Sequence, residues 1–209
     1  MATIESERNE ELSSEQKARL DEVIKQAELS LQSDEELFNQ SLAVAAEKEY
    51  IDHKAAAAAN LLGNNYIVVA GGLVNNTING SLTTATDIQH QYAGSVLIDY
   101  PNPLDPGSGN FSMGGNGSVE AAVLYFGTNR NRDQDCAWLL GFRVPQMEVY
   151  VVCGPMTNFN NLDWGEIKIN IERGGKSGSY YDKNTGTQIN ASLASDPKTS
   201  RYFVTAYFY

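Results

Sequence analysis

Ala137-Trp138-Leu139-Leu140-Gly141-Phe142-Arg143-Val144-Pro145-Gln146-Met147-Glu148-Val149-Tyr150-Val151-Val152 is the stretch on which the fold turns. Two runs of aliphatic, β-branched and aromatic residues flank Pro145-Gln146, a pair suited to a turn and not to a central strand. If Trp138–Val144 and Met147–Val152 pair as a hairpin, residues that face each other sum to about 291 in sequence number. Cys136 and Cys153 sum to 289, so the hairpin brings the two cysteines of the chain close together. With no CxxC motif and only two histidines, they read as free buried thiols of a reducing compartment, in preference to a disulfide, and metal is not expected.

Outward from this hairpin the same texture extends from Gly63 to the last residue. Short β-branched and aromatic runs alternate with Gly, Asn, Asp and Pro, the cadence of a sandwich or barrel. The candidate strands are Tyr66–Ala70, Thr77–Ala85, Ser95–Tyr100, Val119–Phe126, Ala137–Val144, Glu148–Val152, Gly165–Ile171, Ser179–Tyr181 and Tyr202–Tyr209. Gly107–Gly117 reads as a Gly/Ser/Asn loop, and it lacks the lysine that a phosphate-cradling loop needs.

Upstream of Gly63 the pattern is helical. Ser13-Ser14-Glu15-Gln16 opens a short amphipathic helix with Leu20, Val23, Ile24, Ala27 and Leu31 on one face. Ser33 with Glu36 is a second capping signature, and Gly63 is a natural stop. Between them Leu37, Phe38, Leu42, Ile51, Leu61 and Leu62 punctuate an Ala-rich face, while Glu47, Lys48, Glu49, Asp52 and Lys54 load the middle with charge. Roughly 28 residues at about 1.5 Å each give about 42 Å, longer than a bilayer core, but those charges forbid a lone span. The expected organisation is an acidic helical arm over 1–63 and a mainly β, antiparallel sandwich domain over 64–209.

Charge follows the same division. Residues 1–60 carry 6 Lys+Arg against 14 Asp+Glu, and residues 61–209 carry 9 against 12, within a net charge of −11. A domain this close to neutral has no basic stripe with which to neutralise phosphates, so nucleic acid is not an expected partner. Zwitterionic headgroups and neutral sugars are read instead by aromatics and hydrogen bonds. No apolar leader follows Met1, so the expectation is a protein made in soluble form in the cytoplasm, acting at membranes only if released. His53 and His90 stand beside no Cys or Ser in a nucleophile motif and read as solvated surface residues. No catalytic residues and no cofactor are expected.

Several segments resemble the actinoporins. Gly117-Ser118-Val119-Glu120-Ala121-Ala122-Val123-Leu124-Tyr125-Phe126 is similar to their strand reading Gly, small, Val, Ala-rich, Tyr. Leu139-Leu140-Gly141-Phe142-Arg143-Val144-Pro145 resembles the strand ending Phe-Ser-Val-Pro, and Asp163-Trp164-Gly165-Glu166-Ile167-Lys168-Ile169 resembles Trp-Trp-Asp-Val-Lys-Ile. Ser179-Tyr180-Tyr181-Asp182 is similar to the family's tyrosine-bearing stretch, and Asn64-Asn65-Tyr66-Ile67-Val68-Val69 to the strand after its amphipathic helix. The order is preserved over roughly residues 40–209.

The resemblance implies a cytolysin/lectin-type sandwich that recognises sphingomyelin or phosphocholine headgroups and inserts an N-terminal helix, in a homo-oligomer, as a pore wall. It puts Arg143, Pro145, Tyr180 and Tyr181 at the headgroup, Phe159 and Trp164 against the membrane, and residues 34–62 in the inserting helix. Fungal fruit-body lectins share the fold and bind sugars without forming pores. The alternative is therefore a glycan-binding or self-assembling structural protein, its arm serving as an oligomerisation or partner-binding helix.

Overall fold

The computed structural model describes residues 65–78, 80–84, 89–196 and 201–209. They form ten strands in two sheets. The larger sheet runs in the order β3 (Ser95–Ile98), β4 (Gly107–Asn116), β1 (Tyr66–Asn75), β10 (Arg201–Phe208), β9 (Gln188–Asp196) and β8 (Ser177–Tyr181). The smaller contains β2 (Gln89–Ala93), β5 (Val119–Thr128), β6 (Asp135–Val144) and β7 (Glu148–Pro155). The protein is thus mainly β, a two-sheet sandwich. Its ladders are antiparallel except that of β1 and β10, which lie side by side in parallel.

The central hairpin has the register that its sequence implies: Trp138 faces Cys153 and Arg143 faces Glu148, each pair summing to 291. Cys136 faces Pro155, so the two thiols lie close on the inner face, both buried and free. Between the sheets, Val123, Tyr125, Trp138, Leu140 and Phe142 meet Leu73, Phe111, Ile189, Val204 and Phe208 in one continuous core.

The outer face of the smaller sheet is also covered. Ala122, Leu124, Ala137 and Leu139 pack beneath a 3₁₀ turn, Met156–Phe159, and a helix, α1 (Trp164–Glu172), through Phe159, Ile167 and Ile171. Burial on both faces explains why β5 and β6 read as near-continuous apolar runs without alternation. Gly141 permits the close approach of the helix, since a Cβ there would lie 2.6 Å from Ile171 Cδ1.

Three segments differ from the strand assignments made on sequence. Gly165–Ile171, expected as a strand, lies in α1 because Asp163 caps it, its Oδ1 accepting from the backbone N–H groups of Gly165 (2.8 Å) and Glu166 (3.2 Å). Gly107–Gly117, expected as a loop, supplies β4. Only Phe111 and Met113 face the core there, and Gly114 lies directly beneath the Tyr66 ring, where a Cβ would meet Oη at 2.4 Å. Thr77–Ala85, expected as a strand, makes only isolated bridges, Leu82 to Leu104 and Thr83 to Phe126, and Ala85 itself lies outside the described residues. Side chains replace a ladder: Asn75 Nδ2 donates to the carbonyls of Gly80 and Leu104, and Asn102 Nδ2 donates to that of Thr84. Strands β2 and β9 lie where none was expected.

Candidate functional site

Alternation along each strand decides which expected site residues meet. Tyr180 pairs with Ile189, a core residue, so it shares the inner face of the large sheet, whereas Tyr181 pairs with Gln188 on the outer face. The adjacent tyrosines therefore serve different surfaces. Tyr180 sits at the sheet edge, where β8 passes β7, and its carbonyl lies 3.8 Å from Cys153 Sγ.

Arg143 and Pro145 lie at the far end of β7. From Glu148, opposite Arg143, to Cys153, beside Tyr180, is five residues, or about 16 Å at about 3.3 Å per residue. Arg143 is moreover engaged. On the outer face of β6 its guanidinium lies 3.9 Å from Glu120 of β5, 3.4 Å from Glu148 of β7 and 3.6 Å from Glu172 of α1. Glu120 is 5 % exposed, and burial raises its pKa against the opposing pull of Lys168 and Arg143. This cluster clasps the end of α1 to the sheet; it is not an open headgroup contact. The four expected headgroup residues thus do not form one site.

Tyr180 does enter a pocket of about 260 Å³ on the outer flank of the small sheet, between β7, the 3₁₀ turn, the first turns of α1 and the edge strand β8. Tyr150 supplies a second ring, with Leu139, Val152 and Phe159 as apolar wall. Asp163, Glu166 and Asp182 supply three carboxylates, and Asn158, Asn161 and Asn170 supply amides; among the described residues no Lys or Arg lines it.

Two of the carboxylates hold the walls in place. Asp163 caps α1, and Asp182 Oδ2 accepts from the Thr185 backbone N–H (3.0 Å) and hydroxyl (2.6 Å), fixing the turn after β8. Burial, followed by the nearby Glu166 and Tyr180, raises the Tyr150 pKa, so its hydroxyl remains a neutral donor.

The membrane contacts expected from sequence are placed differently. Phe159 is 9 % exposed and supports the pocket from beneath, a correction to its expected surface role, because the 3₁₀ turn folds it onto Leu139 and Ile167. Trp164 is half-buried and stacks on His90 at 5.1 Å, and its carbonyl accepts from the Tyr92 hydroxyl. His90, expected at the solvated surface, is accordingly part of the packing between β2 and α1. Among the described residues, the exposed large apolar side chains on the elements around the pocket are Met156, Ile169, Tyr180 and Tyr181. Leu37, Phe38, Leu42, Ile51, Leu61 and Leu62, expected on an inserting helix, lie outside the described residues, as does His53. Among the described residues no helix is long and apolar enough to cross a membrane.

Tyr150 was legible as an outward residue, since the hairpin register sends Val149 and Val151 inward. Glu166 was not, because a strand reading of 165–171 gives no cap and no pocket wall, and Asp182 was not, because its place is set by the turn it makes with Thr185.

No protein-family model matches the chain. A jasmonate-induced protein homolog of Atriplex canescens is 29% identical over 158 residues, spanning 70% of this chain and 82% of that protein. Among solved structures, the lipid binding protein Nakanori superposes with a TM-score of 0.52 at 12% identity, covering 81% of this chain and 85% of that one. At that identity the likeness is one of fold: this chain and Nakanori share the two-sheet sandwich.

Proposed function

We propose that this protein binds membrane surfaces by taking the choline group of a phosphocholine or sphingomyelin headgroup into the pocket between Tyr150 and Tyr180, and that its arm then inserts, with other copies, to permeabilise the bilayer. The observation that carries the reading is two tyrosine rings beside three carboxylates in a cavity that, among the described residues, has no basic side chain. A quaternary ammonium has no N–H to donate, so aromatic faces and unneutralised carboxylates are what hold it. The asparagine amides and the tyrosine hydroxyls are donors for the attached phosphate. About 260 Å³ suits a headgroup and is small for a drug-sized ligand. The lipid binding of the protein that shares the fold supports the same direction, and the actinoporin resemblance supplies the insertion step.

The test is sedimentation with, and dye release from, vesicles of phosphatidylcholine with sphingomyelin. The full chain is expected to do both. A fragment beginning at residue 61 is expected to sediment with the vesicles without releasing dye. A full chain that neither binds nor releases removes the reading, and a fragment that still releases dye removes the arm from it.

A further inference from the structure

On the other side of the turn after β8, the end of the sandwich opens into a second cavity, of about 330 Å³, where loops from both sheets converge. We infer that this cavity is a binding site for a neutral saccharide, separate from the proposed headgroup pocket.

The inference begins with Tyr209. Its backbone is held from three directions: its N–H donates to the Gln188 carbonyl (2.8 Å), and its own carbonyl accepts from the Gln188 N–H (2.9 Å) and from Trp138 Nε1 (3.2 Å). The residue is left 43% exposed, and its ring stacks with that of Tyr207 at 6.5 Å and 20°. An anchored backbone carrying an exposed flat ring costs little further entropy when a ligand lies on it. The C–H face of a pyranose is such a ligand, because the ring offers apolar area while the sugar hydroxyls remain at the edge.

The rest of the wall supplies partners for those hydroxyls. Asn76, Thr128, Arg130, Thr187 and Gln188 line the cavity, and Trp138 closes its floor. Each sugar hydroxyl both donates and accepts, and Asn, Gln and Thr side chains do the same, which matches them better to hydroxyls than to a phosphate or an ammonium. Arg130 is the sole charged side chain among the described lining residues.

The polar surface continues past the rim. A shallower polar depression adjoins the cavity, sharing Asn129 and Gly186 with it, and carries Asp133 and Lys183, one charge of each sign. The loop between β5 and β6 is preformed: Asn129 Oδ1 accepts from the N–H groups of Asp133 (3.2 Å) and Gln134 (3.3 Å), and Asn129 Nδ2 donates to Asp133 Oδ1 (2.6 Å). A rigid, nearly neutral extension of this kind suits a second sugar unit.

The chain has two tryptophans, and they report separately on the two sites: Trp138 floors this cavity, while Trp164 begins α1 beside the headgroup pocket. The full chain is first screened on an array of neutral and acidic oligosaccharides. The neutral probe that binds best is then titrated while the two indole N–H resonances are followed. The expected result is binding to a neutral probe, a shift of the Trp138 indole resonance with that of Trp164 unmoved, and at least tenfold weaker binding for Tyr209→Ala. Arg130→Ala, on an exposed loop, provides a second variant with an expected loss of severalfold should Tyr209→Ala fold poorly. Tyr180→Ala should bind the saccharide as the parent does. Silence towards every neutral probe, preference for acidic ones, or binding that moves Trp164 and is lost in Tyr180→Ala would overturn the inference, and the headgroup reading stands or falls apart from it.

Discussion

Glu120 and Arg143 show how far a residue type, read alone, falls short of a role. Arginine before Val-Pro invites an anionic ligand, but of its three carboxylate neighbours the hairpin register implies only Glu148, and sequence does not bring Glu120 of β5 or Glu172 of α1 to it. Glu120 in turn is nearly enclosed, and its Oε1 has no hydrogen-bond partner among the described residues. Its folded pKa lies above the ordinary carboxyl value of 4.5, so the folded state favours the protonated form. The stability Glu120 contributes is therefore fully present below that value and is lost as pH rises through the folded pKa. Glu120→Gln is expected to remove this slope, narrowing the difference in melting temperature between pH 4.5 and pH 7.5 relative to the parent. The variant should be at least as stable as the parent at pH 7.5, since Arg143 keeps Glu148 and Glu172. Parallel melting profiles of the two proteins across that range would show that Glu120 does not titrate as its burial implies.

Among the elements, α1 and the 3₁₀ turn matter most, because they turn the exposed back of a sheet into a pocket. Phe159, Ile167 and Ile171 bury their side chains there, each contributing about 1.5–3 kcal/mol. Phe159→Ala is accordingly expected to cost about 3 kcal/mol in urea unfolding. A loss below about 0.5 kcal/mol would mean that the ring is free at the surface and available to a membrane. The strands β5, β6 and β7 were legible because apolar runs bounded by turn residues have few other uses, and the Pro145-Gln146 turn sets the register of β6 on β7. Strand β4 was not legible, because its glycines answer to neighbours elsewhere in the fold, Gly114 to the Tyr66 ring and Gly115 to the backbone of Gly94 and Ser118. The sequence of α1 reads as a strand because Ile167, Ile169 and Ile171 alternate, while Ile167 and Ile171 are also one helical turn apart. The exposure of Ile169, 46%, and the Asp163 cap show which period applies. Of the headgroup pocket, Tyr180 and the outward-facing Tyr150 were legible, whereas the walls from the 3₁₀ turn and α1 depend on that helix.

At the scale of the whole molecule, charge selects among membranes. Residues 61–209 carry 9 − 12 = −3 and residues 1–60 carry 6 − 14 = −8, so an anionic surface repels both parts. A zwitterionic headgroup, taken up by rings and carboxylates at short range, involves no such penalty, and its binding should be almost insensitive to salt. The quaternary ammonium is the feature by which the pocket would know its ligand, and the most direct measurement isolates it. The full chain and its Tyr180→Ala variant are titrated calorimetrically with phosphocholine and with phosphoethanolamine. The expected result is that phosphocholine binds at least tenfold more tightly than phosphoethanolamine, and that Tyr180→Ala loses this preference while melting as the parent does. Equal affinity for the two headgroups, or a choline preference that survives Tyr180→Ala, would contradict recognition by the aromatic pocket.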